Sequence, residues 1–178
     1  ITAEEAPTKE GYTFSGWSMI PTTMPAHDVT ITGTFTEVNI STHDYVDLGL
    51  PSGLLWATTN VGASHPEEYG SYFAWGETSP KSKYSWATYK YANGSETTLT
   101  KYCNDSSYGN IDNKDVLDEQ DDAATINWGE PWRTPTLSET QELINNCTWT
   151  QTSKNGVNGY KVTGSNGNFI FLPAGGVM

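Results

Sequence analysis

Arginine is almost absent from this sequence. Arg133 stands alone beside eight scattered lysines, and these 9 cationic residues face 21 acidic ones, for a formal net charge of -12. With no Lys/Arg cluster, the chain lacks the electrostatic attraction that supplies most non-specific affinity for nucleic acid and for anionic lipid, which excludes both as partners. Cysteine is scarce too: Cys103 and Cys147 belong to no CxxC pair and no Cys/His cluster, so a four-ligand structural zinc site fails. They are either two buried thiols or one disulfide, a choice that needs the Cα distance. His27, His43 and His65 are isolated beside Asp or Pro, match no zinc spacing, and read as surface residues. No apolar run reaches the roughly 18 residues of a membrane span. The chain opens on Ile1 with no charged and apolar leader pattern, and reads as a mature or trimmed fragment.

Large rings are what the sequence does have. Only 35% of residues are hydrophobic, yet 12% are aromatic, including 7 Trp and 10 Tyr, so the core must rest on a few large side chains. Abundant Thr, Ser and Asn, with 17 Gly, indicate short strands and many tight turns. A length of 178 residues suits one ordinary domain plus a small module.

Residues 1–37 have their own grammar. Tyr12 and Phe14 alternate before Gly16-Trp17, and Val29, Ile31 and Phe35 alternate with threonines over 28–35, so both stretches read as half-buried strands. Pro21 and Pro25 forbid regular structure between them. The residues APTKEGYTFSGW and IPTTMPAHDVTITGTF resemble the second half of the Listeria–Bacteroides repeat of internalin B type, over roughly residues 5–36. That resemblance implies a partial β-grasp-like module from a bacterial surface protein, too small to bury a core alone.

Residues 38–43 read as a linker, and the grammar changes at Asp44. Strands are expected near 45–48, 54–59 and 72–75. Residues 78–111 form a polar, Tyr-rich excursion, expected as a long surface loop with a short strand or two. Thr136 with Glu139 makes a capping box that opens a helix over 137–145, on which Leu137, Leu143 and Ile144 can share a face. A shorter helix is expected through 121–126, where Asp121 and Asp122 would favour its N-terminus. The last stretch predicts a meander of three strands, 148–152, 159–163 and 169–172, with Asn155-Gly156 and Asn166-Gly167 as turns.

Four ordered blocks, VDLGLPSGLLWATTNVGA, EEYGSYFAWGE, DDAATINWGEPWRTPT and NGVNGYKVTGSNGNFIFLPAGG, resemble the Fibrobacter succinogenes major paralogous domain over about residues 44–176. The resemblance implies an α+β fold related to C-type lectins in their formylglycine-generating-enzyme-like branch, in which a similar Trp-Arg-x-Pro-Thr precedes a helix; here that element is 132–136. Members continue through further strands beyond the Phe-Leu-Pro-Ala block, so residues 44–178 read as an incomplete lectin-like domain. An open strand edge or apolar surface is then expected, and with it self-association or cover by a neighbouring chain.

The candidate chemistry is concentrated in two places. Seven of the 21 acids lie between Asp105 and Asp122, and Asp112, Asp115 and Asp118 could offer calcium clustered oxygens. The plainer reading is a solvated turn leading into a helix start, since the mid-loop Gly and terminal Glu of an EF-hand are missing. Arg133, beside Trp132, is suited to a bidentate pair with Asp121 or Asp122, or else to an anion site for a sugar acid or sulfate. In the excursion, Tyr84, Trp86, Tyr89, Tyr91 and Tyr102 could stack on sugar rings or pack into the core; Trp56, Trp75, Trp128 and Trp149 are assigned to the core. Cys147, with no nearby His, reads as a small core residue rather than a nucleophile.

The expectation for the whole is a non-enzymatic, secreted or cell-surface module of a gut-type bacterium, displaying a loop surface for a glycan or protein, with no cofactor beyond calcium. A stalk or filament unit, or an enzyme of the formylglycine-generating or carbohydrate-active kind, is the alternative.

Overall fold

The computed structural model describes residue 7, residues 12–18, 20, 21, 23, 26–37 and 43–175. Most of the expected linker (38–42), the Met24-Pro25 punctuation and the chain end at Met178 lie outside the described residues. Two compact units are present, Ile1–Ile40 and Ser41–Met178. The described residues form a small mixed α/β protein with three small antiparallel sheets and few helices.

In the first unit, β1 (Tyr12–Trp17) pairs with β2 (Gly33–Glu37). Phe14 lies opposite Phe35 with ring centroids 5.3 Å apart, and Trp17 packs edge-on against Phe14 at 5.0 Å. Gly33 makes room for them, since a Cβ there would stand 2.7 Å from the Phe14 ring. The second strand is shorter than its alternation predicts. Residues 28–32 lie outside the ladder, and Val29 and Ile31 are exposed.

The second unit opens with the hairpin of β3 (Tyr45–Asp47) and β4 (Leu55–Ala57). Between them, the Ser52 backbone N–H and hydroxyl both donate to the Glu142 carboxylate, at 2.9 and 2.7 Å, which ties the turn to a helix 90 residues away. Helix α1 (Ala123–Trp128) begins at Asp122, whose carboxylate accepts from the Ala124 and Thr125 N–H groups. Helix α2 (Leu137–Asn146) begins with the expected capping box: Thr136 Oγ1 accepts from Glu139 N–H, and Glu139 accepts from Thr136 N–H. Of its apolar residues Leu143 alone is buried; Leu137 and Ile144 are exposed. The chain then forms the meander β5 (Thr148–Lys154), β6 (Val157–Thr163) and β7 (Phe169–Pro173), in the order β5-β6-β7. Asn155 and Gly156 make the first turn at positive φ, as their types allow.

Leu48, Leu50, Leu143, Val162 and Ile170 form the core, bordered by partly buried Val46, Trp56, Cys147 and Leu172. The meander is clamped to the first hairpin by its second turn, where Asn166 and Asn168 side chains donate to the Asp47 carbonyl at 2.9 and 3.0 Å. Gly164 passes so close to Leu48 that a Cβ would stand 1.9 Å from its carbonyl oxygen. Cys103 and Cys147 are free thiols, and burial pushes the Cys147 thiol upward. No helix among the described residues is long and apolar enough to cross a membrane.

Candidate functional site

Residues 72–75, expected as a strand, join no sheet among the described residues. Their carbonyls serve a different purpose: Tyr84 donates its hydroxyl to the Tyr72 carbonyl, and Tyr89 donates to the Trp75 carbonyl at 2.9 Å. Both rings are thereby fixed against an extended segment, with a single 3-10 turn, Trp86–Thr88, between them. Burial, with the Glu77 charge adding to it, pushes the Tyr89 hydroxyl up to about 12, so it remains a donor throughout the neutral range.

These contacts build an open cleft of about 380 Å³ walled by Trp75, Tyr84, Trp86, Tyr89 and Leu99. Trp75 is 45% exposed and Trp86 46% exposed. The sequence assigns Trp75 to the core because it lies inside an expected strand; Gly76 at φ 77 instead turns the chain, and the indole is exposed. Lys81 is the cleft's one cationic lining residue, and its ammonium donates to Glu77, 8% exposed, and to the Thr88 carbonyl, each at 2.7 Å. Glu77 also accepts from the Lys90 N–H at 2.7 Å, so both charges are spent on holding the loop.

Tyr91 and Tyr102 do not join the cleft. Their hydroxyls donate to Asp121, a carboxylate that is 1% exposed, together with the ammonium groups of Lys90 and Lys101. Burial opposes the Asp121 charge, but these four donors outweigh it and hold the carboxyl far below its ordinary value. The same contact to Asp121 raises Lys90 to about 12. A ring contact of 5.4 Å between Tyr91 and Tyr102, and one of 6.1 Å from Tyr91 to Tyr89, connect this buried hub to the cleft wall. Asp121 thus anchors the excursion instead of favouring a helix start, a task left to Asp122.

The three calcium candidates are not brought together. Asp112 accepts from the Tyr102 and Cys103 N–H groups at 2.9 Å, Asp118 pairs with Lys101 and Lys114 at 2.6 and 2.8 Å, and Asp115 is exposed. Among the described residues no group of three or more His, Cys, Asp or Glu side chains could hold a metal ion. Arg133 makes its expected bidentate pair, but with Glu139, at 2.7 and 2.5 Å, rather than with Asp121 or Asp122. Asp122 is occupied by the α1 N-terminus and by the N–H and hydroxyl of Thr134. The Arg133 hydrogen bonds lower Glu139 to about 2, against the opposing effect of burial. His43, expected on the surface, stacks on Trp128 at 4.3 Å, and Trp132 meets Trp128 edge-on at 5.2 Å. Trp149, expected in the core, is 37% exposed on the edge strand β5.

Comparison of the chain with protein-family models, with curated proteins and with solved structures finds no match in any of the three. The functional reading therefore rests on the cleft and its chemistry.

Proposed function

We propose that this chain is a non-enzymatic binding module, secreted or held at a cell surface, that takes an uncharged saccharide in the cleft between Trp75 and Trp86. The observation that carries the reading is the exposure of two indoles, 45% and 46%, over tyrosines whose hydroxyls are already committed to backbone carbonyls. Flat, preorganised aromatic faces favour the apolar face of a sugar ring and pay little ordering entropy on binding. Neutral ligands suit the site because Lys81 is paired with Glu77 at 2.7 Å. A binding role also agrees with how the polar atoms of the cleft's titratable residues are used: Lys81, Tyr84 and Tyr89 each give theirs to Glu77 or to a backbone carbonyl. The resemblance of residues 44–176 to a domain of secreted and surface proteins supports the location.

The test is a glycan array probed with the whole chain, with and without chelator, followed by calorimetric titration of the strongest hit. Trp86→Ala and Trp75→Ala should each weaken that hit by about tenfold, the equivalent of one lost ring contact of about 1.4 kcal/mol, and chelator should change nothing. An array without a hit, or a hit indifferent to both substitutions, overturns the reading.

A further inference from the structure

Strand β5 (Thr148–Lys154) is paired on one side only among the described residues. Its inner side follows β6 in an unbroken register from Thr148↔Thr163 to Lys154↔Val157. All seven of its residues are exposed. The usual protections of a sheet edge are missing, since the strand has no proline and no bulge and carries its one charge, Lys154, at its last position. The two-residue turn Asn155-Gly156 decides which backbone groups point outward. Residues flanking such a turn exchange both hydrogen bonds, so Lys154 and, alternating back from it, Thr152, Thr150 and Thr148 bond to β6. The N–H and C=O groups of Trp149, Gln151 and Ser153 therefore face away from the sheet.

We infer that β5 pairs antiparallel with β5 of a second copy of the chain, about a twofold axis at Gln151. In that register Gln151 meets its own counterpart and Trp149 meets Ser153, so the outward backbone groups of each copy find partners and the two three-stranded sheets join into one. The side chains match in the same register. Trp149, 37% exposed, and Tyr160, 42% exposed, meet edge-on at 5.9 Å on one face, and the small Ser153 of the other copy leaves room beside the indole. On the opposite face Thr150 meets Thr152 and Lys154 meets Thr148, so no charge stands opposite a like charge. Charge also favours this strand as the meeting place. Two chains of net charge -12 repel one another, but residues 147–178 contain Lys154 and Lys161 and no acid. Glu67, which reaches the turn, is held by Lys154 at 3.5 Å and by the Asn155 amide.

Sedimentation equilibrium of the whole chain over a concentration series tests this. A monomer–dimer equilibrium is expected, with a dissociation constant below about 1 mM. Gln151→Lys and Gln151→Glu each set two like charges face to face at the axis and should weaken the dimer about tenfold, with the melting temperature unchanged because Gln151 is exposed. An equimolar mixture of the two variants should restore it, as each ammonium then meets a carboxylate. A wild-type chain that stays monomeric to about 1 mM overturns the inference and leaves the edge to a different partner. A dimer that both variants retain, or a mixture that stays as weak as either variant alone, overturns it as well, since self-association then uses another surface. The aromatic cleft shares no residue with β5, so saccharide binding is measured independently of these outcomes.

Discussion

The single arginine is spent on one carboxylate, and that carboxylate does two things. Glu139 receives the Arg133 fork at 2.7 and 2.5 Å while also accepting from the Thr136 N–H at 2.8 Å. A lysine at 133 supplies a point charge without the planar fork, so it cannot hold both oxygens in the orientation that the capping box uses. Because the Arg133 side chain is 45% exposed, solvent screening keeps the effect small. Arg133→Lys should cost about 1 kcal/mol and lower the melting temperature by about 2–4 °C, measured by thermal denaturation at neutral pH. A variant that melts with the wild type removes the pair from any structural role. The spacing of acids ahead of Arg133 pointed to Asp121 and Asp122; what decided the partner was that Glu139 was already folded back over the start of α2.

At the level of elements, those built from short-range signals were legible. The capping box of α2, the N-terminal carboxylate of α1 and the Asn155-Gly156 turn all act within a few residues, and each forms as its residues dictate. The strands that failed are those whose ladder needs a distant partner. Residues 72–75 look like a strand in alternation, yet their carbonyls are taken by Tyr84 and Tyr89, so the aromatic cleft exists because that strand does not. Nothing local to Trp75 or Lys81 announces this, and a strand over 72–75 would place Trp75 in the core. Two substitutions show the same division between local and distant causes. Thr136→Ala removes a local cap and should cost about 1 kcal/mol in chemical denaturation. Gly164→Ala brings a Cβ to 1.9 Å from the Leu48 carbonyl, against backbone that cannot yield without moving the Asn166 and Asn168 clamp. It should cost about 3 kcal/mol, at the upper end of overpacking, and the penalty should exceed that of Thr136→Ala in the same assay. Equal penalties would mean that the meander and the first hairpin are not locked at this point.

Across the whole molecule, the excess of acid sets two opposing dependences on pH. As carboxylates protonate, the net charge of -12 falls and self-repulsion is relieved, which favours the folded state. The carboxylates that matter most locally act the other way. Glu139 titrates at about 2 when folded against an ordinary 4.5, and Asp121 lies well below its ordinary 3.8. A group whose folded pKa is depressed contributes stability that is fully present above its unfolded pKa and is lost as pH falls through the folded one. Stability should therefore hold from neutral pH down to about 5 and then fall between about pH 4.5 and pH 2. The local pairs win because dispersed surface charges are screened within about 10 Å at 0.1 M salt, whereas Asp121 is buried among its four partners. Asp121→Asn tests this directly. It removes the carboxylate that Lys90 faces and leaves Lys101 with Asp118 alone, so it should destabilise by about 3 kcal/mol at pH 7 and flatten the acid limb. Because Tyr91 and Tyr102 connect the hub to the cleft wall, the same variant should also weaken saccharide binding. Urea denaturation from pH 7 to pH 2 reads the first effect and calorimetry the second. An acid limb as steep in Asp121→Asn as in the wild type would assign the acid sensitivity to the surface carboxylates instead.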